Sequence, residues 1–220
     1  MLKLEKVNLK EEFSIANIVL NEFLWTVGQS VNTYVYGHMG TEELAGMSLT
    51  GTVQGLFMGA LSGLSQAAGI LIGKRLGCNE YDEAYEESKK LCGLGLAGSL
   101  IFSLLLVLTR NPYVQLFKVS DDVRMIGANI LVVFAILMPV KVQNMILGGG
   151  VIRSGGKTKY IMMIDMMGTW LIGVPLALLT GLYFRLPIVW VYFILSQEEL
   201  VRLIVSVFMF RSRKWMHTLQ

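Results

Sequence analysis

Residues 125–147 read MIGANILVVFAILMPVKVQNMIL, and Lys141 is the only charged side chain among them. The hydrocarbon core of a bilayer is about 30 Å thick and takes about 20 mostly apolar residues in a helix to cross. A backbone in lipid must also satisfy its own hydrogen bonds, which a helix does. The stretch therefore predicts a membrane-spanning helix.

Working outward from this run, five more stretches have similar length and character. We name the six segments A to F; they cover residues 16–36, 47–72, 91–109, 125–147, 160–181 and 187–210. Segment A is the least apolar, since it carries Asn21, Glu22, Gln29 and Asn32. The alternation of period two that a membrane barrel needs is missing. The sequence therefore predicts an all-α integral membrane protein with six transmembrane helices.

The composition agrees with a lipid environment. Apolar residues make up 54% of the 220-residue chain and charged residues 16%, against about 25% charged residues in a typical soluble domain. The net charge of +3 comes from cations that punctuate apolar runs, so we expect the bilayer, and not nucleic acid, as the partner. Cys78 and Cys92 form no CxxC pair and are expected to be free thiols.

The distribution of Lys and Arg predicts the orientation. Thirteen lie in the N-terminal segment, the B–C and D–E loops and the C-terminal end, against four in the alternate loops. Cytoplasmic loops carry the excess of positive charge, so both termini are expected in the cytoplasm of a multi-pass protein of the plasma (cell inner) membrane. The predicted organisation is a cytoplasmic segment over residues 1–15, a six-helix lobe over 16–210 and a basic cytoplasmic tail over 211–220.

The sequence also predicts the structure of the B–C loop and of the glycine-rich D–E loop. Loop B–C is expected to be a solvated connector; a short surface helix capped by Asn79 is the alternative. The sequence GGGVIRSGGKT at 148–158 lacks the glycine that a phosphate loop has where Val151 stands, and it follows an apolar run. We therefore predict a tight cytoplasmic turn there and no nucleotide site.

Ionisable side chains inside a membrane are costly and are functional candidates by default. Counting about 1.5 Å per residue, Glu22, Lys141 and Asp165 lie roughly 8 to 10 Å in from the cytoplasmic ends of their helices. They could meet at one depth as an H⁺- or Na⁺-linked site, with Na⁺ between Glu22 and Asp165 and Lys141 replacing it. The alternatives are that Lys141 and Asp165 merely neutralise each other, or that Lys141 reaches the interface.

Further polar and flexible positions lie within the segments. Glu198 and Arg202 are four residues apart and are expected to form a structural ion pair. Pro139, Gly173 and Pro175 are predicted kinks or hinges. Gly51, Gly55, Gly59 and Gly63 predict a close-packed face, or one that lets helices slide. Side chains that could line a substrate cavity, or simply bond neighbouring helices, are Asn21, Asn32, Gln54, Gln66, Asn144 and Trp170.

An ordered set of motifs resembles the multidrug and toxic compound extrusion (MATE) family. The motifs are YGHMGT at 36–41, residues 73–84, PVKVQN at 139–144, GVIRSGGKT at 150–158 and WLIGVP at 170–175. Their order is similar to that of the second six-helix lobe of a twelve-helix transporter in the MOP flippase superfamily. The resemblance implies that Glu22 and Asp165 correspond to acidic cation-site positions that some members use in this lobe.

The resemblance implies export of drugs or other small organic cations in exchange for H⁺ or Na⁺, with no cofactor and with a second six-helix lobe as partner. Two alternatives stay open. A lipid-linked polysaccharide flippase shares the fold, although acidic residues outnumber basic ones within the segments. An inactive or assembly half is the other. An enzyme is not expected, because the sequence shows no nucleophile, metal or cofactor set.

Overall fold

The computed structural model of the protein describes the backbone of residues 9–216 and the side chains from residue 19 onward. Within that range the regular structure is helical and forms six stretches, the last of them interrupted at Ser196. They are α1 (Leu9–Met39), α2 (Thr41–Gly77), α3 (Tyr81–Gln115), α4 (Asp121–Ile152), α5 (Thr158–Tyr183), and the pair α6 (Ile188–Leu195) and α7 (Gln197–Arg211). The prediction of a six-helix, all-α protein is confirmed.

Four helices in the described part of the chain, α2 to α5, are long and apolar enough to cross a membrane. The other two stretches carry more polar groups. Helix α1 contains Asn21 and Glu22, and α7 contains Glu198, Glu199 and Arg202. These polar and charged groups lower the apolar character of both stretches, and charged groups within a membrane helix are candidates for function. Residues 1–8 and 217–220, which belong to the predicted terminal segments, lie outside the described residues.

The helices run beyond the apolar segments because backbone hydrogen bonds continue into polar residues. The prediction for loop B–C was wrong: α2 and α3 are joined by only three residues, Cys78 to Glu80, and α3 starts directly after them. Asn79 has a left-handed backbone with φ 62°, which rules out its predicted role as the N-cap. Cys78 and Cys92 are free thiols, as predicted.

The glycine-rich sequence after segment D forms the predicted turn only in its second half. Helix α4 continues through Gly148, Gly149 and Gly150 in wide, π-type turns and ends at Ile152. Gly150 is needed there because a Cβ atom would lie 2.6 Å from the Ser65 carbonyl oxygen on α2. The reversal itself comes later, at Gly156, whose φ of 76° favours glycine.

Helix α4 lies at the centre of the bundle. Most of its apolar side chains are buried, among them Ile130, Leu131, Phe134, Met138 and Val142, while Met125 and Ile136 are exposed. Polar groups tie its neighbours to the backbone: Ser65 Oγ on α2 donates to the Met145 carbonyl at 2.5 Å, and Gln143 Nε2 donates to the Cys92 carbonyl on α3 at 2.9 Å. Hydrogen bonds of this kind supplement van der Waals packing between membrane helices.

The glycine ladder of α2 does not take part in this packing. Gly51, Gly55, Gly59 and Gly63 are exposed, and a Cβ atom at any of them would meet nothing within 4 Å. The expectation of a close-packed face is therefore wrong within this chain. The ladder forms an open, smooth surface instead.

The chain after α7 folds back onto one end of the bundle. Trp215 is completely buried, donates from Nε1 to the Phe210 carbonyl at 3.1 Å and lies against Gly155. Arg213 pairs with Asp82 at the start of α3 at 2.9 Å. The α2–α3 connection, the α4–α5 turn and the tail thus lie at the same end.

Candidate functional site

Asp165 lies where α5 meets α1 and α7. Its Oδ2 accepts a hydrogen bond from Asn21 Nδ2 at 3.1 Å, and its Oδ1 lies 3.6 Å from Arg202 Nη1. The Asp165 side chain keeps 26% of its surface exposed. It lines a narrow crevice between α1 and α5 together with Leu24, Trp25 and Trp170. Asp165 is therefore a paired but accessible carboxylate.

Arg202 connects α5 to the carboxylate on its own helix. Its Nη2 lies 3.4 Å from Glu198 Oε1 and also donates to the hydroxyl of Thr169. The predicted Glu198–Arg202 ion pair is confirmed, but Arg202 serves Asp165 as well. A guanidinium group has five donors, so one side chain can hold both carboxylates.

Two glycines of α5 make room for this pair. A Cβ atom at Gly168 would overlap the Arg202 side chain, and one at Gly173 would overlap the Glu198 carboxylate. The π-type turns over Met167–Gly173 place both glycines toward α7. Local widening of a membrane helix next to buried charges is a frequent feature of functional sites.

Lys141 has a different partner from the one expected. Its Nζ lies 3.1 Å from Glu199 Oε1, and Asn144 Nδ2 donates to Glu199 Oε2 at 2.8 Å and to the Glu199 carbonyl at 2.7 Å. Glu198 and Glu199 are adjacent, so their side chains point about 100° apart around α7. Glu198 faces α5 and Glu199 faces α4. Lys141, which is held by Glu199, is therefore separated from Asp165.

Glu22 does not join Asp165 in this structure. Asn21 points into the α1–α5 contact, and Glu22, one residue further around the helix, is exposed. Its carboxylate has no ion-pair partner among the side chains of residues 19–216. The three residues expected to meet at one depth are therefore divided between an Asp165 cluster, a Lys141–Glu199 pair and the surface of α1.

The predicted cavity residues are also divided. Gln54 Oε1 accepts from the Tyr192 hydroxyl at 3.1 Å, and its Nε2 donates to Thr50 Oγ1 at 2.9 Å. Asn32 is buried, and its Oδ1 accepts no hydrogen bond from the described residues. Gln66 is exposed on the wall of a groove of about 530 Å³ between α2 and α4, which Arg153 also lines.

The predicted hinge positions lie inside continuous helices. Pro139 is within α4, and Gly173 and Pro175 are within α5, where π-type turns end and ordinary helix resumes. Gly173 has a second property that sequence reasoning missed, namely its contact with Glu198.

Sequence reasoning also missed Thr169, Tyr192 and the pairing of Glu199. A signal existed for Glu199, because two adjacent carboxylates inside an apolar segment must point toward different neighbours. No signal identified Thr169 or Tyr192. In the described part of the chain, no three His, Cys, Asp or Glu side chains come together to form a metal site. The cluster offers carboxylates that can bind a proton, held by an Arg202 guanidinium that keeps its charge.

Comparison with known proteins identifies the family of the chain. The MatE family profile matches residues 18–179. The uncharacterized transporter YisQ of Bacillus subtilis is 29% identical over 193 residues, which cover 87% of this chain and 42% of that protein. The probable multidrug resistance protein NorM of Pasteurella multocida is 30% identical over 139 residues, covering 63% of this chain and 30% of NorM. The chain spans less than half the length of these relatives.

Solved structures agree on the fold. A MOP superfamily transporter from Pyrococcus furiosus superimposes with a TM-score of 0.84 at 14% identity, over 94% of this chain and 45% of its own. The MATE transporter VcmN of Vibrio cholerae gives a TM-score of 0.80 at 16% identity, over 98% of this chain and 51% of its own. The fold is that of one lobe of such a transporter, in a multi-pass membrane protein. Because the family profile covers well over half of its residues, this chain belongs to the MATE family of transporters.

Proposed function

We propose that the chain is one six-helix half of a secondary antiporter, which exports drugs or other small organic cations across the plasma membrane in exchange for H⁺ or Na⁺. The observation that carries the proposal is Asp165, a carboxylate inside the helical bundle that is partly exposed in a crevice. A charged group within the bilayer is retained where it serves an ion or substrate path. The names of relatives such as the probable multidrug resistance protein NorM support export as the direction.

Asp165 is the proposed coupling carboxylate. Its contacts with Asn21 on α1 and Arg202 on α7 join three helical elements at one charge. Protonation or cation binding at Asp165 would weaken its attraction to Arg202 and so change how α5 and α7 are held together. A change in charge that alters helix contacts is the elementary step that coupling requires.

Glu22 and Lys141 keep supporting roles in the proposal. Glu22 is exposed one residue from Asn21, so it could collect cations at the edge of the crevice. Lys141 neutralises Glu199 and thereby sets the charge beside the Asp165 cluster. Organic cations would be received by the polar and aromatic side chains already described. The crevice beside Trp170 is too narrow in this structure for a water molecule, so it would have to widen before the aromatic ring of Trp170 could attract a cation. The remaining members of this set are Asn21, Asn32, Gln54, Gln66 and Asn144.

A second six-helix lobe is the proposed partner. The exposed glycine ladder of α2 and the groove beside it leave an open surface on this chain, which carries the polar side chains of Gln66 and Arg153. Exposure of polar groups to lipid is unfavourable, so a facing lobe would shield them. Pro139, Gly173 and Pro175 are the proposed points of bending between the two access states.

The proposed orientation places both termini in the cytoplasm. The Arg213–Asp82 pair and the packing of Trp215 against Gly155 hold the tail, the α2–α3 connection and the α4–α5 turn at one end. These are three of the four regions that are rich in Lys and Arg. Their location at one end supports the assignment made from the positive-inside rule.

The experiment uses the chain joined to a first MATE lobe and reconstituted in vesicles with an imposed H⁺ or Na⁺ gradient. Asp165→Asn and Glu22→Gln should each abolish gradient-driven movement of an organic cation while membrane insertion stays intact. Asp122→Asn, at an exposed position in the first turn of α4, is the matched control and should transport normally. Normal transport by both test variants would overturn the proposal.

A further inference from the structure

The charges in direct contact around α7 do not balance. Glu199 is paired with Lys141, and both of its carboxylate oxygens are bonded, one to Lys141 and one to Asn144. Arg202 then faces two carboxylates, those of Asp165 and Glu198. One guanidinium in ion-pair contact cannot neutralise two carboxylates, so this half of the cluster carries one negative charge in excess at contact distance if both are ionised. Arg153 also attracts Asp165, but from beyond ion-pair distance.

Glu198 is the less well satisfied of the two. Only 6% of the surface of Glu198 is exposed, and its Oε2 is buried without a hydrogen-bond partner among the described residues. Its remaining oxygen lies 3.4 Å from Arg202, whereas charge-assisted bonds of this type are usually about 2.7 to 2.9 Å long. Asp165, by contrast, has a hydrogen bond from Asn21 and partial exposure to stabilise its charge.

Among the described residues, Arg202 is the one cation in ion-pair contact with Glu198. The ionisable groups that act on it are Arg202 and Glu199 on α7, Lys141 on α4, Asp165 on α5 and Tyr36 on α1. Of the two cations in this set, Lys141 is paired with Glu199 and Arg202 is shared with Asp165. An ionised carboxylate buried without a full partner is strongly unfavourable, and such a group takes up a proton instead.

From these observations we propose that Glu198 is a proton-binding carboxylate, neutral while Arg202 serves Asp165. Its use in transport rests on the proposed cation-coupled function, but the proton site itself does not. The bound state is a carboxylic acid whose O–H lies on the carboxyl group; release returns a carboxylate and one proton to water. Release would leave Arg202 facing two negative groups, so it should be coupled to a change in the Arg202–Asp165 contact.

Gly173 leaves the space in which the carboxyl group of Glu198 lies. A side chain at position 173 would occupy the space of Glu198 Oε2. Because residue 173 has no side chain, the carboxyl group of Glu198 has room to lie against α5.

The test is infrared spectroscopy of the purified chain in lipid, with glutamate selectively labelled with carbon-13. At neutral pH the wild-type protein should show the C=O stretch of a protonated carboxylic acid that shifts with the glutamate label and disappears at high pH. Glu198→Gln should remove this band. Glu199→Gln, the matched neighbour paired with Lys141, should leave it in place.

Two further outcomes keep the assignment falsifiable. Gln resembles the neutral acid in shape, so Glu198→Gln should fold with a thermal midpoint close to that of the wild type; a large fall would mean that Glu198 is ionised and paired, and would overturn the proposal. Absence of a label-sensitive acid band at neutral pH, its persistence in Glu198→Gln, or its loss on adding Na⁺ at constant pH would overturn it too. These measurements need no transport, so failure of the proton site and failure of the antiport proposal remain distinguishable.

Discussion

Gly173 on α5 lies directly against the carboxylate of Glu198 on α7, so closely that a Cβ atom at residue 173 would overlap Glu198 Oε2. This contact places the buried carboxyl group of Glu198 beside Gly173, which has no side chain to obstruct it. The glycine thus has a packing role in addition to the bending role that its neighbourhood to Pro175 suggests.

Gly173→Ala should destabilise the chain, because the added methyl group must displace Glu198 from Arg202. We expect a loss of about 1 to 3 kcal/mol, measured as a lower thermal midpoint in detergent. In a Glu198→Ala background the same substitution should cost much less, since the obstructing carboxylate is gone. Equal losses in both backgrounds would show that Glu198 is not the cause.

Gly150→Ala should weaken the packing of α4 against α2. The new Cβ would lie 2.6 Å from the Ser65 carbonyl oxygen, and a backbone atom cannot move aside as a side chain can. A loss of about 1 to 3 kcal/mol in unfolding free energy is expected. Gly55→Ala, where nothing lies within 4 Å, is the control and should be neutral or stabilising by up to about 1 kcal/mol. Equal effects of the two would contradict the packing described.

Trp215→Ala should release the end of the chain from the bundle. Trp215 is fully buried and stacks on Phe210 with ring centroids 5.8 Å apart, so its truncation should cost about 3 to 5 kcal/mol. Limited proteolysis should then cut after α7. Trp190→Ala, at a residue that is 58% exposed, should leave both stability and cleavage unchanged; a protected tail in Trp215→Ala would contradict this prediction.

Cys78 provides a test of orientation without adding a probe. It is exposed in the α2–α3 connection, the region that we place in the cytoplasm. In a Cys92→Ser background, a membrane-impermeant thiol reagent should label inside-out vesicles and spare right-side-out vesicles. Labelling confined to right-side-out vesicles would reverse the proposed topology.

The sequence predicted the architecture well because apolar length is a strong constraint in a bilayer. It also identified Glu198 with Arg202, since an i, i+4 spacing brings two side chains together on any helix. It failed at Lys141 and Glu22, because depth along a helix says nothing about which way a side chain points around it. Glu199 reaches Lys141 from α7 while Asp165 is held by Asn21, and such rotational choices depend on how whole helices pack.

The prediction for the first three glycines of the 148–158 stretch was wrong for a related reason. Glycine is typical of turns, yet Gly150 stands inside α4 because another backbone lies next to it. Close contact between helices and left-handed turns both require glycine, and only the position of α2 distinguishes them. Gly156, with φ 76°, is the residue that makes the turn.

The central claim is that Asp165 links cation binding to the release of a coupling ion. The most direct measurement is calorimetric titration of the chain, joined to a first MATE lobe, with tetraphenylphosphonium in buffers of different ionisation enthalpy, together with a sodium-sensitive electrode. Binding of the organic cation should release H⁺ or Na⁺ from the wild-type protein and should release neither from Asp165→Asn. Binding without release of either ion by the wild type, or unchanged release by Asp165→Asn, would contradict it.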